Sequence, residues 1–285
     1  MAEPLVDNQD AGDFMARSAA EEKQTARLNQ EFRDAQSHVF QTITNKVCDC
    51  GYIGNSWTTR NEADVMIKHL RLMPSHDLLD IGAGAGWPGL YLAQQTGCAV
   101  TLLDLPETGL RLAQARAETD GMTLQLSTIQ GDAADMPLPS ESFTAISHSD
   151  VLCCLEDKLT VLQECRRVIN ADGRMCFTVI RLADGLKGTA MERAVQAGPE
   201  FIHSETHYPS MLQSAGWQTI QQDDITGAFC ASIERMIAAE EKQSESLRAL
   251  RGNEANETAQ ANWRYKLQAV EDRLILREFF SVVPA

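Results

Sequence analysis

The sequence contains no long hydrophobic run, and a membrane-spanning helix is therefore not expected. No stretch approaches the roughly 18 consecutive apolar residues that such a helix needs. The opening stretch MAEPLVDNQDAGDF also lacks the basic start and the apolar segment of a secretory signal peptide. We therefore expect a cytoplasmic protein without membrane insertion.

Basic residues are scarce in this chain. There are 25 Lys and Arg residues against 40 Asp and Glu, a formal net charge of −15 at pH 7. The phosphates of a nucleic acid would be repelled unless a local basic stripe compensated, and the sequence shows no such stripe. We expect no nucleic-acid partner, and the acidic balance modestly favours a cationic ligand such as a sulfonium or an amine.

Paired C-x-x-C motifs are absent, although the chain has eight cysteines. Their spacing does not form a disulfide or metal-binding framework. Without a secretory signal, we expect reduced thiols that pack as small apolar side chains. The positions concerned are Cys48, Cys50, Cys98, Cys153, Cys154, Cys165, Cys176 and Cys230.

Short apolar strands alternate with helical patterns through most of the chain. The first five strands read HDLLDIG, CAVTLLDL, TLQLSTIQGD, SFTAISHSD and GRMCFTVI, and two more follow in GWQTIQQDDITGAF and ILREFFSVV. This alternation predicts an α/β fold with a doubly wound, Rossmann-like sheet of seven strands. Ligands of such sheets bind beyond the carboxyl ends of the strands.

Polar helical patterns flank this core on both sides. One covers about Asp13 to Val47, and two charged helical stretches follow Phe229. The expected organisation is a helical cap over 1–57, a ligand-binding core over 58–229, and C-terminal helices with a final strand over 230–285. The last segment completes the core or covers it.

A glycine-rich loop, LLDIGAGAGWPGLYLA, follows the first strand. A dinucleotide motif, G-x-G-x-x-G, fits only if the reading starts at Gly84, two residues late. Counted from the strand end, the binding unit is Gly82-Ala83-Gly84, with Gly86 letting the turn pass close to a ligand. Asp80 would repel a diphosphate but attract an ammonium or a sulfonium. The loop therefore favours S-adenosylmethionine over NAD.

Two further acidic positions follow the next strands. Asp104, with Leu105, ends the second strand, where a carboxylate can bind both hydroxyls of an adenosine ribose. Asp132, with Ala133, follows the third strand, where it can accept from an adenine amino group. The first contact is shared with NAD sites, whereas the second adds weight to S-adenosylmethionine.

These motifs resemble those of class I S-adenosylmethionine-dependent methyltransferases over roughly Thr58 to Phe229. LLDIGAGAG, VTLLDL and GDAADMPLP are similar to the first three motifs of that family, in the same order and at the same spacing. The C-terminal part resembles small-molecule enzymes that methylate phosphoethanolamine, sarcosine or dimethylglycine, sterols and quinones. The resemblance implies methyl transfer to a small-molecule acceptor at N, O, S or C. A non-catalytic binding protein and an NAD-dependent oxidoreductase are the alternatives, and the oligomeric state stays open.

The family layout implies that His148 and Ser149 lie near the transferred methyl group, with His148 also touching the cofactor. An imidazole with an ordinary pKa near 6.5 can act as a general base, and the alternative for His148 is a hydrogen-bonding pocket wall. A base is needed only where the acceptor loses its proton early, as an alcohol does.

Five further side chains are candidates for substrate contact. Cys154 stands where phosphobase-methylating relatives tend to carry histidine, so its role in deprotonation is doubtful. His203 and His207 are four residues apart, but no third ligand is near and Pro209 follows, so we expect no metal. The candidates are Trp57, Cys154, His203, His207 and Tyr208.

Overall fold

The computed structural model describes residues 18–54 and 56–285. The helices are α1 Ala19–Asp34, α2 His38–Cys48, α3 Arg60–Leu70, α4 Gly89–Thr96, α5 Glu107–Thr119, α6 Lys158–Val168, α7 Gly188–Ala197, α8 Tyr208–Ser214, α9 Thr226–Lys242, α10 Ser244–Arg251 and α11 Asn253–Glu271. The strands are β1 Asp77–Ile81, β2 Ala99–Asp104, β3 Leu126–Gln130, β4 Phe143–Ser149, β5 Ile169–Leu182, β6 Trp217–Asp224 and β7 Ile275–Pro284.

The seven strands form one sheet in the order β3-β2-β1-β4-β5-β7-β6. Neighbouring strands are parallel except that β7 runs antiparallel to both β5 and β6. The strand order reverses between β1 and β4, the point at which open sheets of this kind bind ligands. The predicted α/β fold with a seven-stranded sheet is confirmed, and the antiparallel β7 makes the sheet mixed.

Helices cover both faces of the sheet, so the central strands are buried on both sides. Leu78 packs in the cluster that includes α3 and α4, whereas Leu79 packs in the cluster that includes α6 and α8. Both leucines are fully buried. A strand between two helical layers reads as a continuous apolar run, which is why β1 was recognisable from sequence.

The N-terminal helical pattern is divided into two helices. Its first residues, 13–17, lie outside the described part of the chain. Helix α1 ends at Asp34, and Ser37 begins α2, because its side-chain oxygen accepts a hydrogen bond from the backbone N–H of Phe40 at 3.4 Å. A serine in this N-cap position stabilises a new helix start.

The C-terminal segment is part of the same sheet. The expected boundary between residues 229 and 230 falls inside α9, and β7 lies between β5 and β6. The final strand therefore completes the core. No helix within the described ranges is long and apolar enough to cross a lipid bilayer.

Two of the cysteines form a disulfide, Cys48–Cys50, so the expectation that all thiols are reduced is wrong at this pair. Asp49 between them adopts a left-handed conformation with φ 52°. That turn brings the two Cα atoms to 5.1 Å, within the range that a disulfide requires. The other six cysteines are free.

Candidate cofactor site

A cavity of about 190 Å³ opens at the carboxyl ends of β1, β2 and β4. Its floor is the glycine-rich loop after β1, together with the first residues after β2. Its walls come from α1, from the loop between α2 and α3, and from the segment after β4. This is the edge of the sheet at which the sequence predicted ligand binding.

The glycine-rich loop is held by the carboxylate of Asp104. Gly82, Gly84 and Gly86 adopt positive φ values of 62°, 52° and 96°, a region that side chains disfavour. One oxygen of Asp104 accepts from the N–H of Gly84 at 2.7 Å, and the other accepts from the N–H of Leu105 at 2.8 Å. Burial raises the pKa of Asp104 to about 6. Gly82, Ala83, Gly84, Asp104 and Leu105 all line the cavity.

Asp80 also lines the cavity but is almost fully buried. Its oxygens accept hydrogen bonds from the hydroxyl of Ser147 at 2.6 Å and from the N–H of Gly89 at 3.1 Å. Burial raises the pKa of Asp80 to about 7. Gly89 is a packing residue, since a Cβ there would lie 2.5 Å from a carboxylate oxygen of Asp80.

Asp132 lies at the same edge of the sheet, beyond β3. One of its oxygens accepts from the N–H of Ala134 at 2.8 Å. The described residues that line the cavity do not include Asp132, Ala133 or Gly86. Their assignment as cofactor contacts stays a prediction.

Helix α1 closes one side of the cavity, a role that sequence reasoning missed. Gln24, Leu28 and Phe32 recur at intervals of four residues and face the cavity together with Thr25. A Cβ added to Gly84 would lie 2.9 Å from the ring of Phe32, so ring and loop are in close contact. The helical period was readable from the sequence, but periodicity does not reveal which surface a helix covers.

His148 does not reach this cavity. Successive side chains of a strand point to opposite faces, so Ser147 and Ser149 face Asp80 and the cavity while His148 points into the core. Its ring stacks on Phe177 with centroids 4.5 Å apart. Neither ring nitrogen has a hydrogen-bond partner among the described residues, and burial lowers the pKa to about 3. The proposed roles of His148 as base and as cofactor contact therefore do not fit.

Ser149 and Cys154 line the cavity, and their roles toward a substrate stay predictions. The hydroxyl of Ser149 is buried without a hydrogen-bond partner in the described chain. The side-chain amide of Gln24 donates to the carbonyl of Cys154 at 2.7 Å, and its oxygen is a second buried acceptor without a partner there. Two polar atoms are thus available to a ligand at the end of β4.

A buried arginine holds the segment after β4, and sequence reasoning missed it. Arg277 of β7 has no exposed surface. Its Nε donates to both oxygens of Asp150 at 3.0 and 3.1 Å, and its Nη1 donates to Glu62 at 2.8 Å. Asp150 lines the cavity and has a φ of 56°. The apolar pattern ILREFFSVV predicts the strand but not these partners.

Trp57 and Tyr208 lie outside the described wall of the cavity. Trp57 packs edge-on against Phe229 and Trp263, with centroids 5.1 and 5.7 Å apart. Tyr208 lines a second cavity of about 170 Å³, beside Arg181. The structure therefore does not bring either side chain to the glycine-rich loop.

His203 and His207 precede α8, so their spacing does not place them on one helix face. Both side chains are exposed, and His207 lies 3.2 Å from Asp184 through its Nδ1. Neither histidine is among the described residues that line the cofactor cavity. Substrate contact through them stays a prediction.

Part of the chain matches a known family of protein domains. Residues 79–177 match the family described as "Methyltransferase domain", which confirms the resemblance stated from the motifs. One curated relative is methyltransferase GfsG of Streptomyces halstedii, 25% identical over 169 residues, which are 56% of this chain and 59% of that protein. Another is the glycine/sarcosine/dimethylglycine N-methyltransferase of Actinopolyspora halophila, 25% identical over 205 residues, 70% of this chain and 36% of that protein.

A solved structure supports the same fold. Phosphoethanolamine N-methyltransferase 2 of Haemonchus contortus, in complex with S-adenosyl-L-methionine, superposes with a TM-score of 0.73 at 18% identity, covering 89% of this chain and 60% of that one. The chain spans only 36% and 59% of the two curated relatives.

Proposed function

From a chain that carries a methyltransferase domain over residues 79–177, we propose that the protein transfers a methyl group from S-adenosylmethionine to a small-molecule acceptor. The observation that carries this proposal is the pair of carboxylates, Asp80 and Asp104, beside a glycine-rich loop at the switch point of the sheet. A diphosphate beside Asp80 would be repelled, whereas an ammonium would be attracted. Asp104 can bind ribose hydroxyls, a contact that NAD sites share.

The residues present fit this cofactor. Each oxygen of an ionised carboxylate has two acceptor sites, so Asp104 can accept from ribose hydroxyls while it holds the N–H groups of Gly84 and Leu105. Burial raises the pKa of Asp80 to about 7, and a bound ammonium group would favour its ionised form, which has the same spare capacity. The buried polar atoms of Ser149 and Gln24 provide further partners for a ligand in this cavity.

When bound, the cofactor supplies a methyl group on a sulfonium centre. The protein's contribution is to hold the acceptor in line with that methyl group, and positioning of this kind supplies much of the acceleration. The hydroxyl of Ser149 accepts a hydrogen bond from the substrate that receives the methyl group, or donates one to it. Gln24 accepts from a hydroxyl or an amine, and α1 excludes water from the cavity. No proton transfer passes through His148.

Relatives of this chain include enzymes named for phosphoethanolamine, sarcosine or sterol substrates. The acceptor belongs to the same broad class of small molecules. The net charge of −15 supports this class over nucleic acid, whose phosphates an acidic surface repels.

Labelled S-adenosylmethionine tests the proposal. We expect the purified protein to form S-adenosylhomocysteine with at least one member of a panel of small amines, alcohols and thiols, and Asp104→Ala to lose that activity. A protein that binds S-adenosylhomocysteine but transfers no label to any acceptor would instead be a non-catalytic binding protein.

A further inference from the structure

We propose that the hydroxyl of Tyr52 is the hydrogen-bond donor for the carboxylate group of the cofactor. This inference rests on the proposed function, because it assigns one residue to one end of S-adenosylmethionine. Tyr52 lies in the loop between α2 and α3, outside the motifs that identify the domain.

Tyr52 lines the cavity and is only 5% exposed. Its hydroxyl is buried and has no hydrogen-bond partner among residues 18–54 and 56–285. A buried donor that is left without a partner costs folding free energy, and native structures rarely keep one. A hydrogen-bond acceptor on a ligand bound in the cavity explains why a polar group is retained here.

The ring of Tyr52 is fixed from two sides, which keeps the hydroxyl in place. Trp87 of the glycine-rich loop packs against it with centroids 5.2 Å apart. The guanidinium of Arg116, on α5, lies 4.2 Å from the centroid of the Tyr52 ring. Both contacts are made with the ring of Tyr52, so the hydroxyl is not needed for this packing.

Two arginines lie beside the loop that carries Tyr52. Arg116 donates to the carbonyl of Gly51 at 2.7 Å, and Arg60 donates to the carbonyl of Asp49 at 2.8 Å. Two guanidinium groups therefore flank one short loop, where Arg116 is also paired with Asp120 at 2.6 Å and Arg60 lies 3.8 Å from a carboxylate oxygen of Asp49. The carboxylates Asp80 and Asp104 lie at the strand ends instead. A ligand with both charges would turn its cationic groups to the strands and its carboxylate to the loop.

The protonation state of Tyr52 agrees with a donor role. Burial raises the pKa of its hydroxyl to about 12. The group is therefore neutral and carries its proton throughout the physiological range. A hydrogen bond from a neutral donor to a charged acceptor is among the stronger ones in proteins.

Two ligands separate this role from simple packing. S-adenosylhomocysteine has the carboxylate, whereas 5′-methylthioadenosine lacks the whole amino-acid end. We expect Tyr52→Phe to weaken S-adenosylhomocysteine binding about tenfold or more, as the loss of a hydrogen bond to a charged group predicts, and to leave the affinity for 5′-methylthioadenosine unchanged. Calorimetric titration measures both.

Tyr208→Phe is the matched control. The hydroxyl of Tyr208 is also buried and without a partner in the described residues, but it lies at the second cavity, so this variant should bind both ligands as the wild type does. Equal weakening of both ligands by Tyr52→Phe, or no weakening of either, would overturn the assignment. Failure of the wild-type protein to bind S-adenosylhomocysteine would overturn the proposed function itself.

Discussion

At the residue scale, neighbouring side chains of β4 serve different purposes. The hydroxyl of Ser147 binds Asp80, and Ser149 lines the cavity, while His148 between them stacks on Phe177. The two-residue period of a strand decides this division. Sequence motifs place all three residues at the end of the fourth strand, but they do not predict to which face of the sheet each side chain points.

Replacing His148 by leucine should leave cofactor binding unchanged and should not lower stability at pH 7. Removing two buried nitrogens without partners relieves a desolvation cost. The folded protein holds the pKa of His148 at about 3, below the 6.5 of the unfolded chain. The unfolded state therefore binds more protons between these values, and the wild type loses stability as pH falls through that window.

Urea unfolding at pH 7 and at pH 4.5 measures this effect. We expect His148→Leu to lose less stability on acidification than the wild type does. His38→Leu is the control, because His38 is exposed. Loss of cofactor affinity in His148→Leu would show that the imidazole reaches the site after all.

Asp104→Ala should weaken the binding of S-adenosylhomocysteine by at least about tenfold. The substitution removes charge-assisted hydrogen bonds to the ribose and frees the N–H of Gly84, which fixes the loop. Asp184→Ala is a matched control, since Asp184 lines only the second cavity. Unchanged affinity by calorimetry would exclude Asp104 from the ribose contact.

At the scale of elements, the strands and the N-terminal helical pattern were predictable, whereas the surface that helix α1 covers was not. The runs LLDIG and VTLLD end in acidic residues and glycine, so both strand and binding edge follow from local sequence. Helix α1 covers the cavity through Gln24, Leu28 and Phe32. Those contacts join segments far apart in the chain, and no local pattern encodes them.

The contact between α1 and the glycine-rich loop predicts the effect of Gly84→Ala. A left-handed conformation costs a non-glycine residue about 1–2 kcal/mol, and the added Cβ would also lie 2.9 Å from Phe32. The variant should therefore be less stable and should bind S-adenosylhomocysteine more weakly, as measured by urea unfolding and calorimetry.

Gly121→Ala separates these two costs. Gly121 has a φ of 71°, and nothing lies within 4 Å of the position of an added Cβ. It should lose stability through backbone strain alone and keep its ligand affinity. If both variants bound S-adenosylhomocysteine equally well, α1 would have no part in the site.

At the scale of the whole molecule, Arg277 joins the last strand and the start of α3 to the site. It links β7 to Glu62 at the start of α3 and to Asp150 at the cavity. The hydroxyls of Thr58 and Thr178 accept from the same guanidinium. Composition gives no sign of this network, because its members are brought together only by the complete sheet.

Arg277→Met should destabilise the protein by about 3–5 kcal/mol, the usual cost of removing one partner from a buried ion pair. Asp150 and Glu62 would keep their charges without their cation. Arg264→Met should cost less than about 1 kcal/mol, since its pair with Glu241 is exposed. Similar losses in the two variants, measured by urea unfolding, would contradict a structural role for the buried network.

We infer that the cavity beside the glycine-rich loop binds S-adenosylmethionine and not a dinucleotide. Thermal unfolding of one protein sample in the presence of S-adenosylhomocysteine or of NADH distinguishes these ligands, because a ligand of the folded state raises the melting temperature. We predict a concentration-dependent rise with S-adenosylhomocysteine and none with NADH. A rise in melting temperature with NADH alone would show that the cavity binds a dinucleotide instead.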